Sequence, residues 1–298
     1  MGEAATAVEA PAGSSEPPLR VERLKKYYGG IAAVDGASFS VEAGSLTGLI
    51  GPNGAGKSTT FDLITGAQRP DDGTVSFRGE DITGLRPYEI ARRGLVRTFQ
   101  ITRELPEMTV LENVMLAPKG QSGETLWRSV VPGAREGVVA EERTLRERAW
   151  ETVEFFELDH LATEHAGNLS GGQRKLLEMA RAMMAQPRLI MLDEPMAGVN
   201  PALTQSLLGH VKRLRSEGIS VMFVEHDMDV VQDISDWVVV MAEGSVIAEG
   251  PPRSIGENPA VVDAYLGSSH AALTEEIREA VAGDGAHVPD AAEGDGDE

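Results

Sequence analysis

The chain has 298 residues, 41% of them hydrophobic, enough for one large domain or two small ones around a sizeable core. No run approaches the ~20 apolar residues that a membrane-spanning helix needs, and the absence of cysteine excludes disulfides, zinc–thiolate sites and a cysteine nucleophile. A net charge of −20 argues against a nucleic-acid binder that works by neutralising phosphates. Residues 1–18 are rich in Ala, Glu, Ser and Pro and lack the basic start and apolar centre of a secretory signal. They are expected to be disordered. Leu19–Leu24, Ala37–Val41 and Thr74–Arg78 read as antiparallel strands, with Asp71-Asp72-Gly73 as a turn. Leu46–Ile50, Leu95–Phe99, Leu189–Asp193 and Ser220–Val224 are short apolar runs that end at polar residues. That is the pattern of buried parallel strands presenting chemistry at their carboxyl ends. From about residue 102 to 185 the chain reads as mostly helical, an insert between core strands. Within it, Glu141–Phe156 is charged on one side and places Trp150, Val153 and Phe156 on the other. Val238–Met241 and Val246–Glu249 flank Glu243-Gly244 as a hairpin, and a short helix is expected after Asn258-Pro259.

Residues 268–298 carry nine acids and one base, Arg278, so −8 of the charge lies in this tail and −12 in the rest. The tail is expected to be solvated and disordered, with no assignable chemistry. So acidic a body suits a halophilic, high-salt cytoplasm, where screening removes the self-repulsion.

Three motifs carry the chemistry. Gly51-Pro52-Asn53-Gly54-Ala55-Gly56-Lys57-Ser58-Thr59 fits G-x-x-x-x-G-K-[ST] in full, between an apolar run and a helical stretch with Phe61 and Ile64 on one face. Its glycines let the backbone curl around a polyphosphate, and its N–H groups, with the start of the next helix, form an anion site. Lys57 can reach terminal phosphates and Ser58 can offer its hydroxyl to Mg2+. Next, Leu189–Asp193 ends in Asp193 and Glu194, which point to opposite sides because side chains alternate along a strand. Asp193 can hold Mg2+ through water, leaving Glu194 to face an attacking water. Finally, Leu169-Ser170-Gly171-Gly172-Gln173 opens the helical run Arg174–Ala185, with Ser170 as its cap.

Together these motifs resemble those of ABC ATPases, and the resemblance covers roughly residues 19–267. It implies a P-loop NTPase (RecA-like) α/β core with an antiparallel β subdomain and an inserted α-helical subdomain. It also implies further site residues: Gln100 as the Q-loop residue and a Mg2+ ligand, His226 as the switch histidine, and Tyr28 stacking on adenine, with Tyr27 as its alternative. Ala197–Pro201 matches the D-loop region, although Asn200 replaces the usual aspartate. In this family two subunits close head to tail. ATP then lies between Asn53–Thr59 of one and Ser170, Gly171, Gly172 and Gln173 of the other. Val96–Gln100, Glu107–Val114, Glu225–Met228 and the closing Ala264-Tyr265-Leu266-Gly267 look like the ATPase subunits of branched-chain amino-acid importers. The insert from Leu116 to Arg148 is similar to that of the larger of the paired ATPases. The implied partners are a second ATPase, two membrane permeases and an external binding protein, with no nucleic acid. The chain would then sit on the cytoplasmic face of the membrane through the permeases. Urea or amide importers, lipid exporters and soluble ABC ATPases are the alternatives.

Overall fold

The computed structural model describes residues 16–98, 104–117 and 134–266. In chain order these fold as β1 (Leu19–Tyr28), β2 (Ile31–Val41), β3 (Leu46–Ile50), α1 (Lys57–Ile64), β4 (Asp72–Phe77), β5 (Glu80–Asp81), α2 (Pro87–Arg92), β6 (Leu95–Arg97), α3 (Val110–Met115), α4 (Ala134–Phe155), α5 (Gly171–Met184), β7 (Leu189–Asp193), α6 (Pro201–Ser216), β8 (Ser220–Val224), α7 (Met228–Ile234), β9 (Trp237–Ala242), β10 (Ser245–Gly250) and α8 (Pro252–Gly256). A further helical stretch spans 259–266.

The short apolar runs become β3, β8 and β7 in the middle and β6 at one edge of a six-stranded sheet in the order β10-β9-β3-β8-β7-β6. All neighbours are parallel except the β9–β10 hairpin at one edge. These strands are buried on both faces, which explains their continuous hydrophobicity. The alternation of side chains divides each between two cores. Leu46, Ile50, Ile190, Leu192, Val221, Phe223, Val238 and Val240 face a helical layer containing α4, α5 and α6. Leu49, Leu189, Met191, Met222, Val224, Val239 and Met241 face the second layer. That layer holds α1 and a four-stranded antiparallel sheet, β2-β1-β4-β5. The expected α/β core with an antiparallel β unit and a helical unit is the architecture observed.

Several local expectations are corrected. Asp71-Asp72-Gly73 does not stand apart as a turn: β4 begins at Asp72, and Lys25 of β1 pairs with it across an irregular register. Asp71 instead accepts hydrogen bonds from the Tyr27 amide and from Lys26. In α4, Val153 is buried and Phe156 just beyond its end is also buried, but Trp150 lies 41% exposed and donates its indole N–H to Glu154 at 2.7 Å. Its large ring covers the helix surface rather than the core. The strand expected over Leu95–Phe99 runs only to Arg97, and Phe99, like much of the 116–148 insert, lies outside the described residues. So do residues 1–15 and 267–298. Among the described residues no helix is long and apolar enough to cross a membrane.

Candidate nucleotide site

Strand order brings the motifs together. β3, β8 and β7 are neighbours and parallel, so the segments leaving their carboxyl ends meet on one edge of the sheet. Those segments are the Gly51–Thr59 loop, Glu225-His226-Asp227, and Asp193-Glu194.

The loop's shape depends on glycine at two positions. Gly51 has φ +147°, and a Cβ there would lie 2.0 Å from the Met241 carbonyl oxygen. Gly56 has φ +97°, and a Cβ there would lie 2.3 Å from the Ala33 carbonyl oxygen. Backbone atoms cannot swing aside as a flexible side chain can, so both positions exclude larger residues. Lys57 is 6% exposed, and its Nζ donates to the carbonyl oxygens of Gly51 and Pro52 at 2.7 and 2.9 Å. Burial pushes its pKa down, while the carboxylates of Glu194 and Asp193 push it back up. Asn53, Gly54 and Ser58 are exposed at the start of α1. The arrangement suits a Mg2+-bound triphosphate: a cradle with no room for a Cβ, a buried ammonium, an exposed serine hydroxyl and the hard oxygens of Asp193.

Glu194 follows β7 with φ +48°, an unusual backbone for a residue with a side chain. Its Oε1 lies 2.6 Å from His226 Nε2, and both side chains stay more than 40% exposed. Where the Glu194 carboxylate accepts, the donor in this pair is an N–H on His226 Nε2. Asp193 is engaged differently. Arg97, 8% exposed, donates to Asp193 Oδ2 and to Asp62 Oδ1, each at 2.6 Å. One buried guanidinium thus ties the end of β7 to α1 and to β6, the strand that leads towards Gln100. Glu225, 5% exposed, accepts from the amides of Met196 at 2.9 Å and His226 at 3.4 Å, and burial raises its carboxyl pKa.

The start of α5 is a capping box. Ser170 Oγ accepts from the Gln173 amide at 3.4 Å, and Gln173 Oε1 accepts from the Ser170 amide at 2.9 Å. Among the described residues a Cβ on Gly171 would meet nothing within 4 Å, whereas one on Gly172 would lie 1.7 Å from Leu203 Cδ2 of α6. Gly172 therefore allows α5 to approach α6, and Gly171 leaves an open backbone surface. Asn200 caps α6, its side chain accepting from the Leu203 amide at 3.0 Å. The departure from aspartate noted in the sequence keeps an effective helix cap.

Tyr27 and Tyr28 end β1, and both are exposed. The Tyr28 hydroxyl hydrogen-bonds Gln68 and its ring lies 5.8 Å from Lys26 Nζ, whereas the Tyr27 hydroxyl reaches Asp35 at 3.3 Å. Gln100 lies outside the described residues. Motif reading gave no role to three further residues: Arg97, Lys175, whose Nζ donates to the Glu194 carbonyl oxygen at 3.1 Å, and Tyr265. The Gly51 amide donates to the Tyr265 hydroxyl, whose own pKa burial raises. For Arg97 a signal existed, a cation inside an apolar run.

Residues 34–197 match the family model described as ABC transporter, and residues 245–271 match the one described as branched-chain amino acid ATP-binding cassette transporter. A probable branched-chain amino acid transport ATP-binding protein LivG of Archaeoglobus fulgidus is 47% identical, over 84% of this chain and 95% of that protein. The high-affinity branched-chain amino acid transport ATP-binding protein BraF of Pseudomonas aeruginosa is 42% identical, over 86% of this chain and 100% of its own length. The crystal structure of a nucleotide-free ATP-binding cassette from an ABC transporter superposes with a TM-score of 0.72 at 41% identity, covering 84% of this chain and 99% of that one.

Proposed function

The chain belongs to the ABC transporter ATPases, and we propose that it hydrolyses ATP to power import of branched-chain amino acids. The observation that carries the mechanism is the Glu194–His226 pair, placed by neighbouring parallel strands beside the Lys57 loop. Its relatives named for branched-chain amino acid transport, and the match of its C-terminal segment to that branch, support the substrate class.

In this reading Lys57 and the amides of Asn53–Thr59 hold the phosphates of ATP, and Tyr28 stacks on its adenine. Ser58, Asp193 and Gln100 would hold Mg2+, which neutralises charge on the phosphates. A second ATPase subunit closes head to tail, and its counterparts of Ser170, Gly171 and Gly172 supply a helix start to the γ-phosphate. The open surface at Gly171 supports that role. Glu194 accepts a hydrogen bond from the attacking water, His226 keeps the water and γ-phosphate in register, and the products are ADP and phosphate. Closing and opening of the pair moves two membrane permeases fed by an external binding protein. This places the chain at the cytoplasmic face of the membrane. Its net charge of −20 supports a high-salt working environment, which full activity in dilute buffer would contradict.

The test is uptake of labelled leucine, isoleucine and valine by cells lacking the gene and carrying either the wild-type chain or Glu194→Gln. Uptake restored by the wild type alone supports both the substrate class and the role of Glu194. Uptake unaffected by the deletion removes the amino-acid assignment.

A further inference from the structure

The backbone of Glu194 is held from three directions. Its amide donates to the Val224 carbonyl oxygen of β8 at 3.0 Å. Its own carbonyl oxygen accepts the Ala197 amide at 3.1 Å and the Lys175 ammonium at 3.1 Å. The φ of +48° matters here, because a left-handed backbone on a non-glycine residue persists only where its surroundings over-determine it. Of the three contacts, two come from the strand layer and the adjoining turn. The third comes from α5, the helix that Ser170 caps and Gly171 opens.

We propose that Lys175 is a positioning residue for hydrolysis, holding the Glu194 peptide in register with the start of α5. The inference rests on reading Glu194 as the carboxylate that orients the attacking water. Lys175 stands about one turn in from the Ser170 cap, so the ammonium moves with that cap. Burial lowers its pKa, while Glu178, Glu225 and Glu194 push it back up. A charged donor makes a stronger bond to a carbonyl than a neutral one. Removing it leaves the Glu194 carbonyl with Ala197 alone and lets the left-handed peptide relax, carrying the carboxylate away from His226. A catalytic group misplaced by about 1 Å can lose about a hundredfold in rate. Conversely, any shift of the helix start on engaging a nucleotide across the subunit interface reaches this chain's own catalytic carboxylate through one side chain.

The experiment uses the full chain as wild type, Lys175→Met, Lys175→Arg and Glu194→Gln, measuring kcat and KM for ATP and nucleotide affinity by fluorescence. The expected result for Lys175→Met is a kcat at least about tenfold lower, with KM and affinity within about twofold of wild type. Lys175→Arg, which keeps a charged donor of similar reach, should return kcat to within about threefold. A wild-type kcat in Lys175→Met overturns the proposal, as does a loss that Lys175→Arg fails to restore or one expressed mainly in KM. Should Lys175→Met not fold, Lys175→Gln is held to the same criteria. Wild-type hydrolysis in Glu194→Gln would sink the reading of Glu194 and this proposal with it. An inactive Glu194→Gln beside a fully active Lys175→Met would sink this proposal alone.

Discussion

The loop at Gly51–Thr59 and the helix start at Ser170 are both glycine-rich segments that open a helix, yet their glycines answer to different constraints. In the loop, the chain's own backbone closes in: the Met241 and Ala33 carbonyl oxygens stand where a Cβ would go, at 2.0 and 2.3 Å. At the helix start, Gly172 yields to a leucine side chain and Gly171 faces open space. The first segment is shaped from within, so its geometry exists before any ligand arrives. The second is shaped by a serine cap and turns its bare backbone outward, as a surface meant for another molecule would. A shared sequence pattern thus covers one site completed by its own fold and another that a neighbour must complete.

Five substitutions, the last read against pH, sharpen this contrast. Gly56→Ala should be the most damaging, adding backbone strain to a clash with a carbonyl, with a loss of about 3–5 kcal/mol in urea unfolding. Glu194→Gln should lower kcat by about 10²–10³, or about 2.7–4 kcal/mol of barrier, while ATP still raises the melting temperature. Ser170→Ala removes one half of the capping box and should cost about 1 kcal/mol of stability. Its ATPase rate should fall further than that loss explains. Gly171→Ala should stabilise the fold by up to about 1 kcal/mol, since nothing occupies the space around it. A large destabilisation there would break the contrast. The last effect depends on pH and concerns Glu178 on α5, whose pKa burial, with help from Glu104, raises to about 7. The folded chain therefore holds that proton more tightly than the unfolded one. This contribution is complete below pH about 4.5 and is lost as pH rises through about 7. Glu178→Gln should flatten that slope in a urea titration across pH 4.5–7.

The sequence reading located β3, β7 and β8 to the residue because a strand buried on both faces leaves an unbroken apolar run. Phosphate-loop residues, paired carboxylates and the capped helix were legible for a related reason: each is a local pattern. What escaped was non-local. Nothing in the run Leu95-Val96-Arg97 tells that Arg97 will span Asp62 and Asp193. Lys175 reads as a solvated helix residue until the 19-residue gap to Glu194 is closed in space. His210 likewise looks like one polar residue on α6, but it is 2% exposed with its ring 5.3 Å from that of Phe156. The misplacement of Trp150 has the opposite cause. Its spacing matched the apolar face of α4, but the buried stripe is too narrow to take it.

The order of strands in the six-stranded sheet also bears on how the chain is made. β3 sits between β8 and β9, with Leu46 opposite Val221 and Thr47 opposite Trp237. During synthesis, β3, the Lys57 loop and α1 therefore leave the ribosome some 170 residues before the strands that will flank them. At about 5–20 residues per second, that is roughly ten to thirty seconds or more in which an apolar strand has no partner. The antiparallel β1–β2 pair, whose strands meet at Tyr28 and Ile31, can form at once. Nascent chains halted before residue 220 should thus hold a formed hairpin and an open core, the state in which a chaperone would find them.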